Sequence, residues 1–306
     1  MAKSKKQAKS SSGDAAGSGP FTRALMAGPE LVLSERDPRS TPAYDGGKAA
    51  GAKLLAATVS ELADLQEQLY AESKAGGTAA VLLVVQGMDT SGKGGIMRHV
   101  VGSVDPQGVS YTAFKAPTKE EREHPFLWRI RNALPAPGQI GVFDRSHYED
   151  VLIVRVHNLV PASTWGRRYG QINTFEQAVT QAGTTIIKVM LHISRDEQKA
   201  RLGERLEQPD KNWKYNPADV DERELWPAYQ EAYQAAIEKC STEQAPWFVV
   251  PADRKWYARL AVQQLVVEHL RAIAPHWPAA TFDVEAEKAR LSATKGCRPT
   301  LAAGTA

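Results

Sequence analysis

Cysteine is nearly absent from this chain of 306 residues: there are two, Cys240 and Cys297, far apart and without the close spacing of metal ligands. That leaves no disulfide framework and no structural zinc, and points to a reducing, cytoplasmic compartment. No apolar run approaches the roughly 20 residues needed to span a bilayer, so no membrane role is expected. The first 20 residues, MAKSKKQAKSSSGDAAGSGP, lack the apolar stretch of a secretory signal. Excess charge is also lacking. Lys and Arg number 38 against 35 Asp and Glu, a net charge of +3, so the chain as a whole is no trap for nucleic acid. Any polyanion site must come from local clustering. There is no internal repeat.

What is present suits a globular core. Hydrophobic residues make up 42% and charged residues 24%, ordinary for a folded domain. Residues 1–50 read as a disordered basic tail followed by an irregular arm rich in Pro, Gly and Asp. Residues 278–306 read as a second tail. Between them, 51–277 form the expected domain. Leu55, Val59, Leu62 and Leu69 share a helical face, predicting an amphipathic helix over 51–73. Continuous apolar runs at 79–86, 139–144, 185–193 and 247–250 read as buried parallel strands. Helical patterns at about 119–134, 145–156, 163–182, 195–207, 221–240 and 254–272 separate them. Ser194 to Glu197 reads as a capping box. Alternating strands and helices predict an α/β fold with a doubly wound, mainly parallel sheet.

The segment Gly87-Met88-Asp89-Thr90-Ser91-Gly92-Lys93 follows the first buried strand and precedes a helix. It fits G-x-x-x-x-G-K in the context that motif requires. Successive backbone N–H groups from Gly87, Ser91, Gly92 and Gly94, with the helix N-terminus behind them, make an anion cradle. Lys93 adds a point charge for the phosphates. Gly94 stands where Ser or Thr ordinarily supplies a hydroxyl to Mg²⁺, while an acid, Asp89, lies inside the loop. A carboxylate among inward N–H groups would repel phosphate unless a cation lay between them, so Asp89 is read as a Mg²⁺ ligand, directly or through water. Thr90 and Ser91 are both candidates to replace the missing hydroxyl.

A second acid, Asp144, closes the strand at 139–144, where ligands bind in parallel sheets. It is read as a metal-side carboxylate, with Arg145 beside it reaching a phosphoryl oxygen. The competing reading has Asp144 capping the next helix and paired with Arg145. His147, in Ser-His-Tyr-Glu-Asp, suggests a phosphohistidine, but its place among charges at a helix start favours a structural role. Residues 195–226 concentrate basic side chains. Arg201 and Arg205, at i and i+4, share a face, and Lys211 and Lys214 lie in a Pro-bounded stretch between helices. This predicts a helical lid closing over phosphates. A solvated charged helix pair is the plainer alternative.

The segments GMDTSGKGG (87–95), FKAPT (114–118), FLWR (126–129), FDRSHYEDVLIVRVH (143–157), KNWKYNPADVDERELW (211–226) and PWFVVPADRKWYARL (246–260) together resemble the polyphosphate kinase 2 family over roughly residues 50–275. The resemblance implies a P-loop kinase-like α/β fold with a helical lid. It also implies reversible, Mg²⁺-dependent phosphorylation of nucleoside mono- or diphosphates by inorganic polyphosphate, commonly in a homo-oligomer. Asp89, Lys93, Asp144, Arg145 and Arg205 match the family's catalytic positions. Asp219 falls near its lid acid, and Lys115 and Arg129 match phosphate contacts. Two residues depart: the position after Lys93-Gly94, and Arg254, which stands where an acid is expected. Glu149 resembles the subgroup acting on both mono- and diphosphates, whereas an amide marks the diphosphate-only subgroup; its competing reading is a structural partner of Arg145. Two other functions share these features, an ATP-dependent kinase and a non-catalytic polyphosphate- or nucleotide-binding regulator. The intact set of Asp89, Lys93, Asp144 and Arg145 speaks against the second.

Overall fold

The computed structural model describes residues 19–294; nearly all of the basic tail expected over 1–20, and residues 295–306 of the tail expected over 278–306, lie outside them. In chain order the elements are α1 (Pro20–Leu25), α2 (Lys48–Ala57), α3 (Val59–Lys74), β1 (Ala80–Gln86), α4 (Lys93–His99), β2 (Val109–Ala113), α5 (Lys119–Arg122), α6 (Trp128–Asn132), β3 (Ile140–Asp144), α7 (Ile153–Val156), α8 (Ala162–Gln181), β4 (Thr184–His192), α9 (Arg195–Glu207), α10 (Ala218–Glu224), α11 (Trp226–Cys240), β5 (Trp247–Pro251), α12 (Lys255–Ile273) and α13 (Val284–Ala293), with short 3₁₀ turns between some of them. The chain forms one compact unit up to His276, and a separate segment from Trp277. Within that segment, α13 is capped by Asp283, whose carboxylate accepts from the N–H groups of Glu285 and Ala286.

The five strands are all parallel, in the order β2-β3-β1-β4-β5. β1 is central and every residue of it is buried, which is why its sequence is a continuous apolar run. Leu82 and Val84 pack with α8 and α11 through Ile172, Phe175 and Ile237. Val81, Leu83 and Val85 face the other way, toward Leu62 and Leu69 of α3 and Leu265 of α12. Both faces of the sheet are thus covered, the condition for a parallel sheet. The chain leaves β1 toward β2 on one side and leaves β4 toward β5 on the other. A crevice therefore opens above the carboxyl ends of the central strands, where ligands bind in such folds.

Several elements differ from the sequence expectation. β2 was not anticipated; it is a half-exposed edge strand, VSYTA, without the apolar run of the interior strands. The helix expected over 51–73 is two, α2 and α3, broken at Thr58. The Thr58 hydroxyl donates to Leu54 O at 3.0 Å and to Gln263 Oε1 at 2.6 Å, offering the backbone an alternative to continuation. Pro125 separates α5 from α6, since proline removes a donor and restricts the residue before it. The stretch at 145–156 is a 3₁₀ turn at His147–Asp150 followed by α7. Ser194 caps α9 by accepting from Glu197 N, but the box does not close: the Glu197 carboxylate turns to Arg201 and the Ser194 N–H goes to Asp253.

The arm before α2 is largely irregular yet firmly packed. Phe21, Leu25 and Leu33 are buried, and Met26 bridges Phe248 antiparallel, covering the outer edge of β5. Its anchor is Glu268 of α12. That carboxylate accepts from the N–H of Phe21 (3.0 Å), the N–H of Thr22 (2.8 Å) and the Thr22 hydroxyl (2.7 Å). It thereby satisfies the first orphan donors of α1. Glu268→Ala should destabilise the protein by about 3 kcal/mol, because buried donors are left unpaired. A denaturant midpoint, with limited proteolysis near residue 26, measures this; an unchanged midpoint would mean that the arm is held by its apolar contacts alone.

Candidate active site

The loop between β1 and α4 turns through backbone that few side chains tolerate. Gly87 has φ 156°, and a Cβ there would lie 2.6 Å from Ser91 Oγ and 2.9 Å from Leu191 O. Gly92 has φ 115° and Thr90, though not a glycine, has φ 63°. Such strain persists only where the surroundings over-determine the backbone. Here the surrounding constraint is Arg201 of α9, 4% exposed. All five of its guanidinium N–H groups are engaged: with Glu197 Oε1 at 2.8 Å, Thr90 O at 2.9 Å, Ser91 O at 3.0 Å, Ala252 O at 2.6 Å and Asp253 O at 3.0 Å. Gln198 adds a bond to Asp89 O at 3.0 Å. The carbonyls of Asp89, Thr90 and Ser91 are thus drawn outward; the Ser91 N–H, expected to face the cradle, instead donates to Met88 O at 3.1 Å and closes a turn inside the loop.

Lys93 Nζ donates to Gly87 O at 2.7 Å, across the mouth of the loop. Burial lowers its pKa, against the opposing pull of the Asp89 carboxylate. The hydroxyls of Thr90 and Ser91 are buried and have no partner in the protein; Ser91 is 1% exposed. An unpaired buried hydroxyl is costly, so both residues are built for an oxygen or a cation that the protein does not supply. Asp89 Oδ1 accepts from Arg145 Nη2 at 3.1 Å. Arg145, the first residue after β3, has φ 64° and is strained like the loop it faces. Burial pulls its pKa down, but the carboxylates of Glu149 and Asp89 outweigh that and raise it, so it is a fixed cation. Asp144 Oδ2 lies 3.4 Å from the Tyr111 hydroxyl.

Two cavities meet at Asp89. One, of about 610 Å³, is lined by the loop from Asp89 to Ile96, by Asp144, and by the cations Arg98, Arg205, Lys214, Lys255 and Arg259. The other, of about 210 Å³, is lined by Gly87, Arg145, Glu149, Asp219, Glu222, Tyr229 and Tyr233 among others. The first suits an extended polyanion. The second is smaller and has a polar and aromatic lining.

Most of the residues expected from the sequence converge here. Gly87, Asp89, Ser91, Gly92, Lys93, Gly94, Asp144, Arg145, Glu149, Arg205, Lys214 and Asp219 line one cavity or the other. Arg205 donates to Asp219 Oδ2 at 3.3 Å and to Lys214 O at 3.0 Å, tying α9 to the segment above it. Burial, with the nearby Asp89 carboxylate, raises the pKa of Asp219. Three residues are not brought in. Arg129 is 9% exposed and donates to Lys115 O at 2.8 Å, with Glu121 at 3.5 Å; it holds the 114–118 segment rather than facing a ligand. Lys115 and Lys211 line neither cavity. His147 is fully buried, in accord with its structural reading. Arg254, the residue where an acid was expected, is exposed beside the start of α12 and outside both cavities.

The sequence reading missed Arg98, His99, Lys255 and Arg259 in the larger cavity, and Glu222, Tyr229 and Tyr233 in the smaller. The i, i+4 spacing of Lys255 and Arg259 at the start of α12 was the available signal. Arg201 was grouped with Arg205 as a lid cation; it lies instead beneath the loop.

A parallel sheet with an anion cradle after its central strand, an acid and an arginine after the neighbouring strand, and a basic helical segment above them defines a P-loop phosphotransferase. The polyphosphate kinase 2 family model matches residues 47–276. An AMP/ADP-polyphosphate phosphotransferase of Meiothermus ruber is 47% identical over 246 residues, 80% of this chain and 91% of that one. An ADP-polyphosphate phosphotransferase of Rhodopseudomonas palustris is 41% identical over 266 residues, covering 83% and 90%. The crystal structure of polyphosphate kinase 2 from Arthrobacter aurescens TC1 superposes with a TM-score of 0.88 at 55% identity, covering 91% of this chain and 98% of that one. The chain belongs to the polyphosphate kinase 2 family.

The Arg201 clamp gives a direct test. Arg201→Lys keeps the charge but cannot reproduce the planar fork. It should lower turnover on the order of a hundredfold, as misplaced cradle donors do, and should lower the unfolding temperature as well. Near-normal turnover in Arg201→Lys would mean that the loop holds its shape without the fork.

Proposed function

We propose that the protein transfers phosphoryl groups from inorganic polyphosphate to AMP and ADP, reversibly and with Mg²⁺. The observation that carries this is the meeting at Asp89 of a cation-lined cavity and a smaller polar and aromatic one, with Arg145 of the second paired to that carboxylate. An ATP-dependent kinase has no use for a basic groove continuing past the cradle to Arg98 and Arg259. The relatives' names favour polyphosphate as donor, and their two acceptors, AMP/ADP and ADP, bracket the nucleotide.

In this reading polyphosphate lies along Arg98, Lys255 and Arg259, with its terminal phosphate in the loop. The acceptor's phosphate enters from the smaller cavity. An acceptor oxygen attacks the terminal phosphorus, the bridging P–O bond breaks, and the shortened chain leaves with the electron pair. The acceptor phosphate is already largely ionised at neutral pH, its second pKa being about 6, so no strong general base is needed. Lys93 and the loop N–H groups hold the transferring oxygens, and Arg145 and Arg205 balance the charge spread over them. Mg²⁺, when bound, neutralises and orients phosphate oxygens. Asp89 and Asp144, with the unpartnered hydroxyls of Thr90 and Ser91, would hold it. Among the described residues no three His, Cys, Asp or Glu side chains form a metal cluster of their own.

Incubation with long-chain polyphosphate, Mg²⁺ and AMP or ADP, without ATP, tests the reading; formation of ADP and ATP is expected, and no product with adenine or guanine nucleotides would refute it. Lys93→Ala and Asp89→Asn should each lower turnover by about a hundredfold or more while leaving the fold intact. Activity through a homo-oligomer in a reducing cytoplasm belongs to the same proposal. No helix among the described residues is long and apolar enough to cross a membrane.

Glu149 bears on the choice of acceptor. Its charge acts on Arg145, and its Oε1 accepts from Gln86 Nε2 at 2.9 Å, which presents the carboxylate to the smaller cavity. A carboxylate there can hold a cation or water where the shorter acceptor, AMP, leaves a gap. Glu149→Asn should shift the rate ratio toward ADP, measured with both acceptors on one polyphosphate preparation. An unchanged ratio would assign the acceptor range to other residues.

A further inference from the structure

Behind the transfer centre, the middle of the sheet contains a charge. Lys188 of β4 is fully buried, on the face whose strand neighbours Ile186 and Met190 belong to the apolar core. Its ammonium uses all three donors: Glu176 Oε2 at 2.6 Å, Cys240 O at 2.6 Å and Tyr148 Oη at 2.9 Å. Glu176 of α8, 1% exposed, accepts in turn from the Tyr148 hydroxyl at 2.8 Å and lies 3.2 Å from His147 Nε2. Burial disfavours its ionised form, but the charge of Lys188 and the bond from His147 outweigh this and lower its pKa. An ion pair so placed is a poor stabiliser, because apolar residues of equal volume serve a core as well or better. Its distinguishing property is direction.

What it directs is the turn after β3. His147 and Tyr148, like Ser146 before them, are fully buried. Arg145 stands two positions before His147, and Glu149 directly follows Tyr148. Arg145 is held at φ 64°, and from within, the turn is shaped by a four-residue 3₁₀ helix, His147–Asp150, whose cap Ser146 accepts from Tyr148 N. From the other flank Arg168 of α8 pairs with Asp150 at 2.9 Å and donates to its carbonyl at 3.0 Å. The ring of Tyr148 is seated against Trp247 with centroids 4.6 Å apart, leaving its hydroxyl to select the register.

We infer that the buried Lys188–Glu176 pair is a positioning device: it grips Tyr148 and His147 from within the sheet and so sets where Arg145 and Glu149 stand at the junction of the two cavities. This rests on reading that junction as the phosphoryl-transfer centre. The other role open to Lys188, securing the last carbonyl of α11 through Cys240 O, does not involve the turn.

Two variants separate these roles. Tyr148→Phe removes the hydroxyl that links pair to turn and leaves Lys188 with Glu176 and Cys240 O. Lys188→Met combined with Glu176→Gln removes the charges together, so that neither is left unpaired. For Tyr148→Phe, kcat should fall by between about tenfold and a hundredfold, the scale of a ~1 Å misplacement, with KM for polyphosphate changed less than about twofold. Hydrogen exchange of the amides at 146–152 should quicken while that of α11 stays as in the wild type. The double variant should lower kcat at least as far. A kcat for Tyr148→Phe within about twofold of wild type, or unchanged exchange at 146–152, would overturn the inference. Should the wild-type protein show no polyphosphate-driven transfer, the reaction reading fails, and the exchange measurement alone then decides whether the pair positions the turn.

Discussion

The contact between Asp89 and Arg145 joins the ends of β1 and β3, and the rest of the site is arranged around it. Each residue is presented by strained backbone or a strained neighbour, Thr90 on one side and Arg145 itself on the other. Each loop has buried charge behind it: Arg201 under the cradle, the Lys188–Glu176 pair beneath the turn. The ion pair at 3.1 Å is half-exposed and adds little to stability by itself. Its importance is spatial, since Asp89 is where the cation-lined cavity and the smaller one touch. In the proposed reaction two polyanions approach at that point, where a fixed arrangement of positive charge and oriented N–H groups, and a cation if the acids hold one, would make the approach favourable.

The sequence exposed the parts of this arrangement that depend on local pattern. The apolar run of β1, the glycines and Lys93 after it, and Asp144-Arg145 after β3 are short-range signals with a physical reason, and the structure brings them together. The same holds for Arg205, Lys214 and Asp219. Features set by tertiary contact were illegible. β2 is an edge strand half in solvent, so it carries no apolar signature. Arg98 and Arg259 join one cavity wall only because α4 and α12 pack side by side. Arg201 and Arg205 share a helix face, yet only Arg201 lies where the loop and the end of β5 pack against that face. Arg129 sits in a matching motif but spends its guanidinium on Lys115 O and Glu121. In each case the residue type was informative and its direction was not.

The arm before α2 shows the same division. Its composition of proline, glycine and aspartate foretells irregular backbone, which is what forms. Composition could not foretell that Glu268, more than two hundred residues away, would cap its first helix. Packing of this kind reconciles a loop-like sequence with a buried position, and it covers the edge of β5 that the sheet would otherwise leave unpaired.

The central claim is direct transfer between two substrates bound together, one in each cavity. Initial rates measured over a grid of polyphosphate and ADP concentrations test it most directly. Double-reciprocal lines that intersect, reporting a ternary complex, are the predicted result. Parallel lines, the pattern of a phosphorylated enzyme intermediate that forms before the second substrate binds, would contradict it.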